Sequence, residues 1–395
     1  MSRLALGLLL AAALPAQKHT VTLVDGEVLS ARLEAVSSAG RVRLAIGDQT
    51  RELQLDELES VGCEKPEKRF HKGDALLTLR SGQHLPARLL GGAGQEARFD
   101  SPLAGEPLVF ALRHLRAIRL GAAQAQDGGY AEAVANPLAD RDLIFFSRGE
   151  KMQRLSVSVR GLDQGDVLVD YDGNEQRVPL TRLYGIAFGR DTGLAATSQA
   201  RPRVAVTLGN ASTYEGKLVD LEDKRVRLRL DEGATLVLPV AEVARLVVRS
   251  DKLLYLSDAK PLKVEQVPAI DRVWPWLVDK APGGGPIELA GRQYPRGLVL
   301  IPRTRLTFHL AGQYDAFRAV VGIDDHSGPQ ANAVFRVYLD DKVVYDSGPV
   351  THQSEPKSLD LPLGGAQALT LETDFGANFD FGDHCAFALA RVVRK

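Results

Sequence analysis

The stretch VFRVYLDDKVVYDSGPV, residues 334–350, decides the fold of the last third of the chain. Apolar and polar residues alternate from Val334 to Leu339, which is typical of a β-strand with one buried face. The DDK run at 340–342 predicts a tight turn, and the VVY run after it predicts the returning strand of a hairpin. Three further stretches alternate in the same way: GLVLIPRTRLTFHL (297–310), FRAVVGIDD (317–325) and DHCAFALARVV (383–393). Together they predict an antiparallel β-sandwich.

Length and composition indicate an ordinary multi-domain protein. A chain of 395 residues is too long for one core, so we expect two or more domains. The formal net charge of −1 gives no general reason to bind nucleic acid or anionic lipid, and we expect no nucleic-acid partner. The two cysteines, Cys63 and Cys385, are too few to stabilise a fold of this size, and they are interpreted as inert thiols.

The N-terminus resembles a secretory signal peptide over residues 1–16. Arg3 precedes a short apolar run that is too brief to span a bilayer, and LPA at 14–16 suits a cleavage site. No later stretch reaches the length of a transmembrane helix. We therefore expect a secreted, periplasmic or cell-envelope protein without a transmembrane segment.

The first 250 residues contain a fourfold repeat. Each copy predicts four short strands, a one-turn helix and a fifth strand, with apolar residues spaced i, i+3, i+6 across the helical turn. These triplets are Leu55, Leu58 and Val61, then Leu112, Leu115 and Ile118, then Leu180, Leu183 and Ile186, then Val240, Val243 and Leu246. Five short strands with such a turn resemble the SH3-like or Sm-like small barrel. The alternative is a continuous sandwich shared by all four repeats.

Gly- and Ala-rich linkers divide these repeats. GAAQAQDGG at 121–129 and DTGLAATSQAR at 191–201 bury too little surface to offset the entropy of ordering. The predicted small β-barrel repeats span 17–66, 72–121, 140–190 and 202–250. The predicted fold class is all-β, with tandem SH3-like barrels followed by a C-terminal jelly-roll β-sandwich.

The C-terminal third resembles the NPCBM family of carbohydrate-binding modules, which accompanies family 98 glycoside hydrolases. The segments that carry the resemblance, besides those quoted above, are LLYLSDAKPLKVEQV (253–267), VWPWLVD (273–279) and GGGPIELAGRQYPRGL (283–298). The resemblance implies a jelly-roll sandwich over 252–395 that binds carbohydrate without cleaving it, and some members hold a structural calcium. The family's closing Asp-His-Ala-Asp-Trp reads Asp-His-Cys-Ala-Phe at 383–387, so Phe387 is expected to fill a core position.

A sugar site needs an aromatic face for the apolar side of the ring and fixed polar groups for the hydroxyls. The carbohydrate-binding candidates in predicted loops are Trp274, Trp276, Tyr294, His326, Asn378 and His384. The alternative for the tryptophans is that they cover the sandwich edge. The alternative for His384 is hydrogen bonding to the backbone.

An acidic loop near the C-terminus suggests calcium as a cofactor. Its oxygen donors are Asp374, Asn378, Asp380 and Asp383, which Asp324 and Asp325 could join. Turn formation by these Asp and Asn residues explains the same pattern.

No catalytic constellation appears in the sequence. Adjacent Asp324 and Asp325 point to opposite faces of a continuing strand and make a poor carboxylate pair, which leaves Asp380 and Asp383 for a less favoured glycoside hydrolase. The resemblance to the NPCBM family, together with the apolar N-terminal run, therefore implies a secreted, non-catalytic glycan-binding protein whose N-terminal barrels act as spacers or contact protein partners. The rival hypothesis is an envelope scaffold whose sandwich has lost sugar binding.

Overall fold

The computed structural model describes residues 19–121, 127–148, 151–190, 201–222, 224–269, 272–379 and 382–394. The predicted signal peptide and most of both predicted linkers lie outside these ranges. The described chain is nearly all β-structure, with one short α-helix. It divides into two compact units, Met1–Arg249 and Ser250–Lys395.

The N-terminal unit repeats one motif four times: four strands, a 3₁₀ turn and a fifth strand. The first copy comprises β1 (His19–Leu23), β2 (Val28–Val36), β3 (Arg41–Ile46), β4 (Gln49–Gln54), a turn (Leu55–Glu57) and β5 (Leu58–Cys63). The second comprises β6 (Ala75–Leu79), β7 (His84–Gly94), β8 (Glu96–Asp100), β9 (Leu108–Ala111), a turn (Leu112–His114) and β10 (Leu115–Leu120).

The other two copies follow a short helix, α1 (Tyr130–Ala135). The third comprises β11 (Asp142–Arg148), β12 (Lys151–Asp163), β13 (Asp166–Tyr171), β14 (Asn174–Pro179), a turn (Leu180–Arg182) and β15 (Leu183–Ala187). The fourth comprises β16 (Arg203–Leu208), β17 (Thr213–Glu222), β18 (Arg225–Arg229), β19 (Thr235–Pro239), a turn (Val240–Glu242) and β20 (Val243–Arg249). Every predicted apolar triplet spans the 3₁₀ turn and the start of the fifth strand.

The repeats associate in pairs through their fifth strands. The first and fourth copies share a ten-stranded sheet of order β19-β18-β17-β16-β20-β5-β1-β2-β3-β4. At the seam, β5 pairs antiparallel with β20, and Val61 lies opposite Leu246. The second and third copies share an equivalent sheet through β10 and β15. The fifth strand of each copy therefore pairs with the fifth strand of another copy, so that neither strand is left as an exposed sheet edge.

An insertion in the second copy links the two ten-stranded sheets. The β8–β9 connection, residues 101–107, is longer than the tight turns at the same place in the first and third copies. Its Leu103 is fully buried in the common apolar core. The carbonyl of Leu103 accepts a 2.7 Å hydrogen bond from the backbone N–H of Val237 at the edge strand β19. The insertion therefore holds the two sheets against each other.

Leu103→Ala is expected to lower the free energy of unfolding of the N-terminal unit by about 2–3 kcal/mol, because it removes buried methyl groups and leaves a cavity. Chemical denaturation followed by circular dichroism measures the change. Leu90→Ala is the matched control, since Leu90 in β7 is about half exposed and its truncation removes little buried surface. Equal effects of the two substitutions would contradict the linking role of Leu103.

The C-terminal unit is a two-layered sandwich. Its strands are β21 (Leu253–Tyr255), β22 (Lys263–Gln266), β23 (Leu277–Val278), β24 (Ile287–Leu289), β25 (Arg292–Tyr294), β26 (Gly297–Leu300), β27 (Thr304–His309), β28 (Ala316–Ile323), β29 (Asn332–Leu339), β30 (Lys342–Thr351), β31 (Lys357–Pro362), β32 (Ala368–Phe375) and β33 (Cys385–Val393), with a 3₁₀ turn at Leu256–Asp258. One sheet has the order β23-β26-β33-β28-β31, with β21 beside β33, and the other has the order β22-β27-β32-β29-β30.

The core of the sandwich lies between these two sheets. It is built from the alternating apolar residues that the sequence marks, including Leu306, Phe317 and Val337, which are all fully buried or nearly so. Phe335 and Phe387 meet across the layers in an edge-to-face contact, with ring centroids 5.4 Å apart. The predicted sandwich is confirmed, and the core position expected for Phe387 is observed.

Candidate functional site

Five strands of the C-terminal sandwich finish at the same end of the unit: β22, β26, β28, β30 and β32. In one sheet, β26 and β28 both finish opposite Cys385, where β33 begins. In the other, Thr304 at the start of β27 lies opposite Thr373 near the end of β32. We call the described residues of the five connections that follow these strands the loop face. Loops that a rigid sandwich positions in this way are suited to binding.

An open groove lies on the loop face beside an exposed aromatic residue. The groove has a volume of about 610 Å³ and is lined by the ends of β29, β30 and β32 and by the loops next to them. Phe375 forms part of its wall. Phe379 packs edge-to-face on Phe375 at a centroid distance of 6.0 Å and is itself 66% exposed. The loop face therefore offers an accessible aromatic ring next to a groove of ligand size.

Side-chain amides fix the loop beside this groove. The Asn332 Nδ2 donates to Asn378 Oδ1 at 2.5 Å, and the Asn378 Nδ2 donates to the carbonyl of Gln330 at 2.9 Å. The Asn332 Oδ1 accepts from the backbone N–H of Ala377. The buried Asp383 accepts the backbone N–H of Asn332 at 2.9 Å. These bonds join the β28–β29 and β32–β33 connections and hold polar groups in fixed positions.

Two histidines flank the buried carboxylate of Asp324 on the same face. The Asp324 Oδ1 lies 2.8 Å from the Nδ1 of His326, and its Oδ2 accepts the backbone N–H of Glu288 at 2.9 Å. Because a carboxylate accepts and does not donate, Nδ1 of His326 carries the proton and Nε2 is an acceptor when the ring is neutral. The His384 carbonyl accepts the backbone N–H of Asp324 at 2.8 Å.

Burial lowers the pKa of His384 below its ordinary value; Asp324 opposes this effect and His326 reinforces it. A neutral imidazole with one donor and one acceptor is the form that this environment favours near neutral pH. The backbone N–H of His384 donates to Ser327 Oγ at 3.2 Å, which fixes the main chain at this residue, whereas the buried Nδ1 of its imidazole has no hydrogen-bond partner among the described residues.

The aromatic candidates do not share one surface. Trp274 is 45% exposed, and the guanidinium of Arg272 lies 3.9 Å from its ring centroid, which covers one face of the indole. Trp276 packs against the main core of the sandwich. Tyr294 is buried in a small apolar cluster with Ile287 and cannot present a ring face to a sugar. The structure brings Trp274, His326, Asn378 and His384 to the loop face, and it places Trp276 and Tyr294 in packing roles.

The acidic residues predicted for calcium have different partners. The carboxylate of Asp374 bonds Arg303 at 2.5 Å and Arg336 at 2.8 Å, whereas Asp383 bonds the backbone of Asn332. The carboxylate of Asp325 accepts the backbone N–H groups of the β24–β25 turn. Asp380 lies outside the described residues. Within the part of the chain that the structure describes, no three His, Cys, Asp or Glu side chains form a metal-binding group. Calcium binding stays a prediction.

Phe375, Phe379 and Asn332 were missed when the sequence was interpreted, although they shape the groove. The sequence signal was the FGANF run at 375–379, which places two aromatic residues and an amide in a loop of small residues. Its acidic neighbours drew attention to metal binding instead. Separately, no helix among the described residues is long and apolar enough to cross a membrane.

Comparison with known proteins identifies the class of the C-terminal unit. Residues 252–393 match the family described as "NPCBM/NEW2 domain". Over 102 residues the chain is 33% identical to a protein of Renibacterium salmoninarum named "Putative endo-alpha-N-acetylgalactosaminidase". That alignment covers 25% of this chain and 7% of the relative, so the chain spans only a small part of the length of that protein.

Solved structures of carbohydrate-binding modules are also similar to parts of the chain. One is a CBM51 module from a Clostridium perfringens family 95 glycoside hydrolase in complex with methyl-galactose, at 27% identity and a TM-score of 0.33, covering 36% of this chain and 99% of that module. Another contains tandem CBM51 modules of a Streptococcus pneumoniae family 98 glycoside hydrolase, at 13% identity and a TM-score of 0.32, covering 64% of this chain and 88% of that one.

The family match and the two-layered antiparallel fold agree on the same residues. The C-terminal unit therefore belongs to the class of carbohydrate-binding β-sandwich modules. Within that class, residues 252–393 of the chain are an NPCBM/NEW2 domain.

Proposed function

We propose that this protein binds a glycan on the loop face of its NPCBM domain and does not cleave it. The observation that carries the proposal is the groove beside Phe375 and the exposed ring of Phe379, set in a domain of a carbohydrate-binding family. An accessible ring suits the apolar face of a sugar. The amide of Asn378, which Asn332 holds in place, keeps one Nδ2 hydrogen beyond its bond to Gln330 for a sugar hydroxyl. His326 and His384 add imidazole nitrogens on the same face.

The carboxylates on the loop face support a binding role over glycoside hydrolysis. Hydrolysis requires two carboxyl groups that face a shared substrate cleft. Asp324 and Asp325 each accept backbone N–H groups, and Asp374 is paired with two arginines. These three carboxylates act as structural hydrogen-bond acceptors, as does Asp383, which accepts the backbone N–H of Asn332. Asp380, its partner in the pair that the sequence left open, lies outside the described residues. Incubation of the purified protein with the glycans that it retains is expected to leave them intact by mass spectrometry.

The N-terminal unit is proposed to act as a spacer or as a contact for other proteins. The protein is also proposed to work outside the cytoplasm. The paired repeats form a single apolar core, which gives a stiff body. The apolar run at the N-terminus supports export. The rival function, an envelope scaffold without sugar binding, predicts no retention on any glycan.

Phe379→Ala is expected to weaken glycan binding by roughly tenfold or more, because truncating one well-placed aromatic contact costs about 1–2 kcal/mol. A glycan array that includes galactose-type and N-acetylhexosamine sugars first identifies the ligand, and titration calorimetry then measures its affinity. Phe70→Ala is the matched control, since Phe70 is 74% exposed in the N-terminal unit. Unchanged affinity in Phe379→Ala would reject the groove beside Phe375 as the site, and the absence of binding to every glycan would favour the scaffold.

A further inference from the structure

The edge strand β22 is built for pairing with another strand. It is the terminal strand of its sheet, and among the described residues no further strand lies beyond it. Pro261 and Pro268 flank it, so any additional pairing is confined to the few residues between the two prolines. Leu262 and Val264 are both exposed, although Val264 lies opposite the fully buried Leu306 of β27. The edge therefore leaves apolar side chains uncovered at the margin of the core.

The backbone of β22 is oriented for this pairing at Val264. In the pairing of β22 with β27, Lys263 lies opposite Thr307 and Glu265 lies opposite Arg305. Two residues further along, the backbone N–H of Val267 donates to the carbonyl of Arg303 at 2.9 Å, so every second residue of this stretch bonds toward β27. Backbone groups of an antiparallel strand point alternately to the two sides. The N–H and C=O groups of Val264 and Gln266 therefore point away from β27, toward the open side of the sheet.

The charges of β22 are self-complementary about Val264. Within one copy, Lys263 Nζ lies 3.0 Å from Glu265 Oε1. If a second copy of the strand approaches antiparallel with a two-fold axis through Val264, Lys263 of each copy lies directly opposite Glu265 of the other, and the ion pair within each copy is exchanged for two between the copies. The two Val264 residues then form the central hydrogen-bonded pair. Opposite charges across an antiparallel pair are favourable and like charges are unfavourable. An isologous contact of this kind closes after two copies.

The other edge of the same sheet also exposes apolar side chains, Val343 and Val344, but its backbone is less suited to pairing. Strand β30 contains Pro349, which cannot donate a backbone hydrogen bond, and its pairing with β29 shifts register twice. Proline and bulges are the usual means by which a protein blocks an edge strand. Self-pairing is therefore favoured at β22 over β30.

We propose that two copies of this chain associate by antiparallel pairing of β22 with β22 about a two-fold axis at Val264. The contact is short compared with the interfaces of stable dimers, which bury about 1,600 Å². The association is accordingly weak and depends on protein concentration. The partner is a second copy because a single register meets both requirements. In that register the outward N–H and C=O groups of the two Val264 residues bond each other, and Lys263 of each copy lies opposite Glu265 of the other.

Cross-linking of the full chain tests the register directly. Val264→Cys and its control Val343→Cys are made in a Cys63→Ser background. Cys385 is kept because it is fully buried. Val343 is a matched control because Val264 and Val343 are each 46% exposed and lie on the two edges of one sheet. The two Val264 Cα atoms in the proposed pair are about 5.5 Å apart, within reach of a disulfide. Under mild oxidation at tens of micromolar protein, Val264→Cys is expected to form covalent dimer about tenfold faster than Val343→Cys, because prior association raises the effective thiol concentration. Equal rates would overturn the proposal.

Charge exchange provides a second, independent readout. In sedimentation velocity at hundreds of micromolar, the wild type is expected to shift toward dimer. Lys263→Glu should shift it back to monomer, and the double variant Lys263→Glu with Glu265→Lys should restore the dimer. Circular dichroism confirms that each variant is folded. A chain that remains monomeric throughout, or that dimerises equally well with Lys263→Glu, would show that β22 does not pair with itself, whether or not the loop face binds glycan.

Discussion

Phe387→Ala is expected to lower the free energy of unfolding of the C-terminal unit by about 3–5 kcal/mol, the usual cost of truncating a buried phenylalanine. Phe387 is fully buried in β33 and meets Phe335 edge-to-face across the two sheets. Truncation of the ring removes this aromatic contact and leaves a cavity at the centre of the core. The neighbouring side chains are closely packed and cannot fill the cavity without strain. Urea denaturation followed by circular dichroism measures the change.

Phe379→Ala is the matched control for stability, because the ring of Phe379 is mostly exposed in the same unit. It should leave the unfolding midpoint of the C-terminal unit nearly unchanged while weakening glycan binding. Phe387→Ala should have the opposite profile at temperatures where it remains folded, with lower stability and little change in affinity. A small effect of Phe387→Ala on stability would contradict the central packing role of this ring.

Arg336→Ala is expected to destabilise the C-terminal unit by about 1.5–3 kcal/mol, because it removes hydrogen bonds from a charged donor to three carboxylates. Asp374 and Glu372 keep Arg303 and Arg305 as partners, so the loss is smaller than that of a fully buried ion pair. The Arg336 guanidinium bonds Asp346 at 2.7 Å, Asp374 at 2.8 Å and the largely buried Glu372 at 3.0 Å. Arg88→Ala is the control, since Arg88 pairs with Asp100 on an exposed surface and such pairs contribute less than about 1 kcal/mol. Comparable effects of the two substitutions would contradict the assigned role of Arg336.

The pH dependence of this effect has a defined sign. Burial opposes ionisation of Asp374, but bonds from Arg336 and Arg303 outweigh it and hold the pKa of this carboxyl below its ordinary value. A backbone bond from Gly348 and the bond from Arg336 likewise lower the pKa of Asp346. A depressed carboxyl pKa stabilises the fold above the unfolded-state value, about 3.9, and this contribution is lost as the pH falls below it. The stability difference between wild type and Arg336→Ala should therefore narrow below about pH 4.

Periodicity in the sequence accounts for most of the secondary structure. The hairpin at 334–350 is observed as β29 and β30, and the four apolar triplets all lie at 3₁₀ turns followed by a strand. These features depend on local side-chain alternation and turn chemistry, which a single sequence displays. The resemblance to the NPCBM family, which depended on the order of several separated segments, is confirmed by the family match.

The candidate site was only partly predictable, because loops do not reveal which of their side chains meet. Trp274, His326, Asn378 and His384 reach the loop face, whereas Tyr294 was a plausible sugar-stacking residue until the hairpin β24–β25 was seen to place it in an apolar cluster. Phe379 was not predicted, because the acidic residues around the FGANF run at 375–379 indicated metal binding and local alternation does not show which aromatic of the run is exposed. The carboxylate of Asp374 looked like a metal ligand until Arg303 and Arg336, distant in sequence, were found beside it.

By itself, the sequence determined that the chain is all-β, that its first part is a fourfold repeat and that its last part is a sandwich, because each of these follows from local alternation. The carbohydrate-module family of that sandwich followed from its resemblance to known members. Only the tertiary structure decided that the first repeat pairs with the fourth and the second with the third. It also decided which loop residues form the groove. Strand edges and loops contact residues that are far away in the chain. Which of these contacts form depends on the whole fold, so no local stretch of sequence indicates them.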